Sequence, residues 1–413
     1  MNKESCPKRL GKFITKEVIG KMIIHTVEAG DTIFKIARKY SVQPTKIIED
    51  NGLESDRLSV GQELLILLPT RTATVRGGDT IASIARRFGV RKSTILANNP
   101  GLKGKEKLRP GHILSIKYDA PRGNAASAVG FCRGGCSESK FIRALPYLTY
   151  VVFECVKICK GNELKSCFDA SRLRSVATVR GKLTLLGFYD ETNGEFLKNE
   201  NHRALIDAMI SIAKAGKYGG IYLSTGKAAG LYPEEFASFL MDARKQLIGC
   251  DLILFSSSHG LTCTTCAELS DGAILKDDSD NGLTDSKRLE LCEFAENSET
   301  IKSFLFIDCA ARSANLKMTG FDALKLARQY GAELKFRENE LLSYFNYRRY
   351  MRGVGEDVEI RIPQLTITKA KLQLVCELGF MGIAFDIESA PVWLLSLFNT
   401  YFSRADFSIL SAE

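Results

Sequence analysis

Two different periodicities divide the chain. Near the N-terminus the apolar positions come in short blocks. A strand-like run at Ile23–Val27 is followed by Ile33, Ile36, Ala37 and Tyr40 at helical spacing. A second short helical stretch, Thr45–Glu49, ends at Asn51, and a closing apolar run follows at Glu63–Leu67. The same series returns as Ala73–Val75, then Ile81, Ile84, Ala85 and Phe88, then Ser93–Ala97 ending at Asn98-Asn99, then His112–Ile116. In each copy Gly-Asp-Thr stands before the first helix, where Asp or Thr can cap the free amides. Leu58-x-x-Gly61 and Leu108-x-x-Gly111 turn into the closing strands. The pattern predicts β-α-α-β twice.

After residue 120 the pattern becomes an alternation of apolar strands and amphipathic helices. Strand candidates are Leu148–Phe153, Leu183–Phe188, Gly220–Leu223, Leu252–Ser256, Gly272–Leu275, Ser303–Ile307 and Gly382–Phe385. Helical stretches fall at Arg203–Ala215, Pro233–Gln246, Gly320–Tyr330 and Ile367–Leu378. Repeated strand-helix units argue for a parallel α/β fold with a TIM-type (β/α)8 barrel as the leading form. Its completeness is left open, because a first strand is not evident and the segment Ile113–Tyr118 is asked to serve both the second module and the barrel.

The repeat itself is sharp. Val27–Arg38 and Val75–Arg86 share eight of twelve residues at an offset of 48. Charge follows the same division. Residues 1–125 hold 23 Lys and Arg against 12 Asp and Glu, while the remainder holds 34 against 36. A basic N-terminal part favours an anionic polymer. Nucleic acid fits less well, since the basic residues lack interleaved aromatics. Residues 1–22 carry charges throughout and have no apolar core of leader length, and no later apolar run has membrane-spanning length. Neither a signal peptide nor a membrane span is therefore expected.

The twelve cysteines include Cys132/Cys136, Cys155/Cys159 and Cys263/Cys266. His259, Cys263 and Cys266 have ligand-like spacing, but no fourth ligand lies nearby, and no metal or cofactor is expected. Reduced, buried thiols, some crosslinking on exposure to oxidant, are the simpler reading.

Both repeated blocks resemble the LysM domain. The resemblance implies a module that binds polymers containing N-acetylglucosamine, such as peptidoglycan or chitin, in a groove between the first strand-helix loop and the second helix-strand loop. Carried over by position, the groove residues are Gly30, Asp31, Thr32 and Ile33 with Asn51, Gly52 and Leu53. In the second copy they are Gly78, Asp79, Thr80 and Ile81 with Asn99, Pro100 and Leu102. The expected boundaries are an N-terminal extension at 1–22, LysM domains at 23–69 and 71–118, and the barrel at 120–413.

Pro121-Arg122-Gly123-Asn124, Pro146–Tyr150 and Gly382–Phe385 look like the glycoside hydrolase family 18 domains of spore cortex-lytic N-acetylglucosaminidases, which also carry two LysM modules. Family 18 enzymes end the fourth barrel strand with D-x-x-D-x-D-x-E. The final Glu protonates the glycosidic oxygen, and the Asp before it orients the substrate acetamido group. In register, Ser224 stands at that Asp and Gly226 at the acid. The sixth strand, Ser270–Asp278, ends without the family's Tyr, and Asp386 replaces the barrel-floor Trp. The single Trp, Trp393, falls in a helical segment, Trp393–Phe402, expected to pack on the core. Acids remain at strand ends: Asp190, Glu191, Asp277, Asp278, Asp308, Asp386 and Glu388.

The expectation is a wall-binding protein of the spore or cell wall, anchored by two LysM modules, with a catalytically degenerate family 18-like barrel. Its partners are peptidoglycan or another N-acetylglucosamine glycan, with spore coat or cortex proteins as candidates. Its expected location is the spore coat or cortex, reached from the mother-cell cytoplasm. The alternative is an active N-acetylglucosaminidase in cortex lysis and germination that uses a relocated acid pair.

Overall fold

The computed structural model describes residues 22–404, apart from 103–107, 119–122, 135, 199–201, 260–263, 277–281, 299 and 352–353. Each N-terminal module pairs its first strand antiparallel with its last. Met22–Thr26 pairs with Glu63–Leu67, and Arg71–Thr74 with Ile113–Lys117. Two short helices lie between, Ile33–Tyr40 and Pro44–Asn51 in the first module, Ile81–Phe88 and Lys92–Asn98 in the second. Thr32 caps its helix by accepting from the Lys35 amide, and Thr80 forms a reciprocal capping box with Ser83. The helical positions read from the sequence build the cores, Ile33, Ile36 and Ala37 in one module and Ile84, Ala85 and Ile95 in the other.

Eight parallel strands close a barrel: Gly123–Cys132, Tyr150–Ile158, Leu183–Asp190, Gly220–Ser224, Ile253–His259, Gly272–Lys276, Ser303–Phe306 and Gly382–Asp386. The last lies beside the first, from Gly382 opposite Ser127 to Asp386 opposite Phe131. Val129, Tyr150, Tyr222, Phe255 and Phe304 fill the interior, so the barrel is a packed core and not a pore.

Two expectations are corrected. Ile113–Lys117 belongs only to the second module, and the barrel has its own complete first strand at Gly123–Cys132. That strand escaped notice because Gly-Asn-Ala-Ala-Ser-Ala lacks the branched and aromatic residues that signal strands. The helix Gly320–Gln329 is also not part of the barrel's alternation. It packs on a five-stranded antiparallel sheet inserted after the seventh strand, whose main hairpin pairs Leu342–Met351 with Val354–Ile362. This insertion has its own core, including Ala323, Ala327, Phe345 and Ile360.

The first module is locked onto both the barrel and the insertion. Gln364 accepts from the Glu63 amide at 2.8 Å and donates to Gly61 O at 3.2 Å. The Leu334 amide donates to Val60 O at 3.0 Å. Gly61 adopts φ +81°, and a Cβ there would sit 2.2 Å from Leu334 O, so only glycine allows this approach. The final helix, Val392–Tyr401, buries Leu394, Leu397, Phe398 and Tyr401 against the core as expected for that segment.

Candidate functional site

In the first module Gly30 and Thr32 are exposed in the loop between strand and helix, and Asp31 is half-buried. Asp31 accepts from the Glu28 amide at 2.9 Å and meets His25 Nε2 at 3.0 Å. The Glu28 hydrogen bond, helped by His25, holds its carboxyl below the usual value despite some burial. Ile33 is in the core. Asn51 is buried, donating to Ile47 O and Leu65 O, both at 2.9 Å, and accepting from the Leu65 amide at 2.7 Å. Its side chain ties the second helix to the last strand and is not open to a sugar. Gly52, in the left-handed region at φ +62°, packs so closely that a Cβ would lie 2.5 Å from Val392 Cγ2. Leu53 completes the loop, half-buried.

The second module repeats this arrangement. Gly78 and Thr80 are exposed, and Asp79 and Ile81 are half-buried. Asp79 accepts from the Arg76 amide and from Arg87, both at 2.8 Å, and these bonds lower its carboxyl. Asn99 is the counterpart clamp, donating to Ile95 O and Ser115 O and accepting from the Ser115 amide. Leu102 is buried and Pro100 half-buried. Gln43 of the first module donates to Asn99 Oδ1 at 3.0 Å, joining the modules. Among the expected groove residues, then, Ile33, Asn51, Asn99 and Leu102 build the modules from within. The loop backbones and Thr32 and Thr80 are what face solvent.

At the barrel mouth the fourth strand ends at Ser224, which is half-buried. Thr225 is buried and donates to Ser257 O at 3.3 Å. Gly226 adopts φ +54°, the left-handed region that disfavours a residue with a side chain. Counting back along the acid series places Tyr222 at an earlier Asp position. Its ring is fully buried in the barrel, and its hydroxyl lies 2.6 Å from Ser257 Oγ and accepts from Lys276 Nζ at 2.6 Å. Lys276 also lies over the rings of Phe131, Tyr222 and Phe306, 5.3–5.8 Å from their centroids. Across the mouth Arg133 pairs with Glu154 and, at 3.4 Å, with Asp386. This cation-aromatic cluster was not anticipated. Its only sequence signal is a lysine ending the sixth strand.

The acids at the strand ends are engaged elsewhere. Asp190 accepts from the Thr192 and Gly194 amides and from Thr192 Oγ1. Glu191 pairs with Lys157, and Glu388 accepts from Lys140 and the Ser137 amide. Asp386 accepts from the Glu388 and Ser389 amides besides Arg133. Asp308 binds Arg312 and the Ala310 amide. Burial pushes its carboxyl up, but Lys317, that amide and Arg312 outweigh burial and hold it below the usual value. Such a group is a poor proton donor near neutrality. Asp277 and Asp278 lie outside the described residues, as does Cys263 of the His259–Cys263–Cys266 series. Among the described residues, no three His, Cys, Asp or Glu gather as a metal-holding group. Cys132, Cys136, Cys155 and Cys159 are thiols, the first and third buried.

The two modules and the barrel define a class by fold: two β-α-α-β modules followed by a closed parallel eight-stranded barrel. The model of the LysM domain matches residues 25–67 and 73–117. The whole fold is similar to the Bacillus cereus spore cortex-lytic enzyme SleL, with a TM-score of 0.69 at 19% identity over 93% of this chain and 99% of that one. Bacillus megaterium QM B1551 SleL gives 0.71 at 20% identity over 94% and 99%. A chitinase from Chromobacterium violaceum ATCC 12472 gives 0.60 at 13% identity over 68% and 100%. No curated protein matches the chain in sequence. The chain thus carries two LysM domains followed by an eight-stranded parallel barrel with the fold of SleL and of that chitinase. Among the described residues no helix is long and apolar enough to cross a membrane.

Proposed function

We propose that this protein binds peptidoglycan, or a related N-acetylglucosamine polymer, through its LysM domains and that its barrel does not hydrolyse the glycan. The observation that carries the second half is the end of the fourth strand. Ser224-Thr225-Gly226 stands where the family places its carboxylates, and Gly226 sits in a left-handed backbone conformation. Losing a general acid removes about 10²–10⁴ in rate, and the acetamido-orienting carboxylate is missing as well. The described acids nearby are neutralised by cations or backbone amides, which weighs against a relocated pair. The likeness to SleL supports a place in the spore coat or cortex, with delivery from the mother cell and with coat or cortex proteins as candidate partners of the barrel. The reading is tested by incubating full-length protein with purified cortex and vegetative peptidoglycan. Sedimentation of the protein with the wall and no new reducing ends is the expected result. New reducing ends that vanish on mutating Asp278, Asp308 or Asp386 would instead establish a hydrolase.

A further inference from the structure

The groove loop of the first module does not face open solvent alone. It forms one wall of a cleft of about 480 Å³, within the size range of ligand sites. Asn51, Gly52 and Leu53 line that wall, while Arg143, Phe321 and Trp393 come from the barrel and its insertion. The walls are fixed relative to one another, because Gly52 packs on Val392 and Glu63 and Gln364 bridge module and barrel. The barrel mouth is thus not where the chain's only tryptophan sits. Trp393, half-buried with one side on the core, lines this junction, as does Phe321, 40% exposed.

The charge around the cleft limits the ligand. Four carboxylates and two cations line it. Glu63 is bound to Thr366, Glu388 to Lys140, and Asp322 to Thr319 Oγ1 at 2.6 Å. Only Glu388 is answered by a cation, and Glu54 and Asp322 are exposed against the single exposed Arg143, so negative charge is in excess. No surplus of positive charge is present to receive a carboxylate-bearing strand. Two aromatic side chains beside amide-rich loop backbone suit the apolar faces and acetamido groups of uncharged sugars.

We propose that the first LysM domain and the barrel share one composite site in this cleft, which takes an uncharged run of N-acetylglucosamine units with Trp393 as a stacking face. The proposal rests on the glycan-binding reading above and assigns the barrel a part in it.

With a single tryptophan among thirteen tyrosines, emission excited selectively at tryptophan reports on Trp393 alone. Full-length protein titrated with chitohexaose should show a saturable change in Trp393 emission. Phe321→Ala, an exposed position, should weaken the affinity roughly three- to tenfold. Muramyl-peptide strands bearing free carboxylates should perturb Trp393 less at equal concentration, and an equal or stronger response would overturn the preference for uncharged sugar. If calorimetry detects chitohexaose binding while Trp393 emission and Phe321→Ala affinity stay unchanged, the composite site is wrong and the LysM reading stands. If neither the oligomer nor insoluble wall binds, both fail together.

Discussion

Glu63 of the first module holds Thr366 of the barrel with both carboxylate oxygens, one accepting from the Thr366 amide at 2.7 Å and the other from its hydroxyl at 2.5 Å. The carboxylate is buried, so these bonds have no water to replace them. Glu63→Ala would strand two donors of Thr366 and should cost about 1–3 kcal/mol. Because the lost contact joins two domains, the first module should melt ahead of the barrel. Calorimetry showing one unchanged cooperative transition would argue that Gln364 and Leu334 suffice as the lock.

Opposite pH responses are expected from two buried acids. Burial raises the Glu63 carboxyl above 4.5, although Thr366 pulls it down. Ionising Glu63 therefore opposes folding, and stability tied to it grows as pH falls through the folded value. Asp308 is held below 3.8, its cationic partners outweighing burial. Its contribution is complete above 3.8 and is lost as pH falls through the lower folded value. Asp308→Asn should remove part of the rise of melting temperature with pH below 3.8, and Glu63→Gln should remove part of a fall with pH above 4.5. Parallel profiles for all three proteins would show that neither carboxyl shifts on folding.

Asn51 and Asn99 do the same job in the two modules. Each makes one hydrogen bond to its own helix and two to the closing strand, and Asn99 also accepts from Gln43. Replacing either with Ala should cost about 3 kcal/mol, near 1 kcal/mol per bond. The expected signature is a loss of stability in urea unfolding, with the folded fraction keeping its affinity for glycan. Lost affinity at unchanged stability would return these side chains to the binding surface.

The parts legible in the sequence are those fixed by local period. Ile33, Ile36 and Ala37, and their counterparts at 81–85, declare a helix face because their partners lie within a few turns. The second through eighth barrel strands are visible for the same reason. The first is not, because Ala126 and Ala128 are small residues whose burial depends on strands far along the chain. The mouth was least legible. Tyr222 meets Lys276 and Arg133 meets Asp386 only once the barrel closes, so spacing carries no trace of either pair. Asn51 illustrates a different gap. Position within a repeat located the loop, but only the geometry separates a residue that lines a groove from one that holds it shut.

Restoring the family's carboxylates should not restore an enzyme. In Ser224→Asp/Gly226→Glu, the new Glu would have to adopt φ +54°, at a cost of about 1–2 kcal/mol for a residue with a Cβ. To escape that strain the loop must move, and Thr225, buried and bonded to Ser257 O, holds it in place. The new Asp would face strand neighbours Tyr189 and Ser257, with Tyr222 and Lys276 occupying the barrel below. The double variant should be less stable than the parent by thermal melting and should release no reducing ends from chitohexaose or peptidoglycan. Measurable turnover would mean that the barrel still carries the substrate-binding geometry of a hydrolase and lost only its acids, and the non-catalytic reading would then rest on two residues alone.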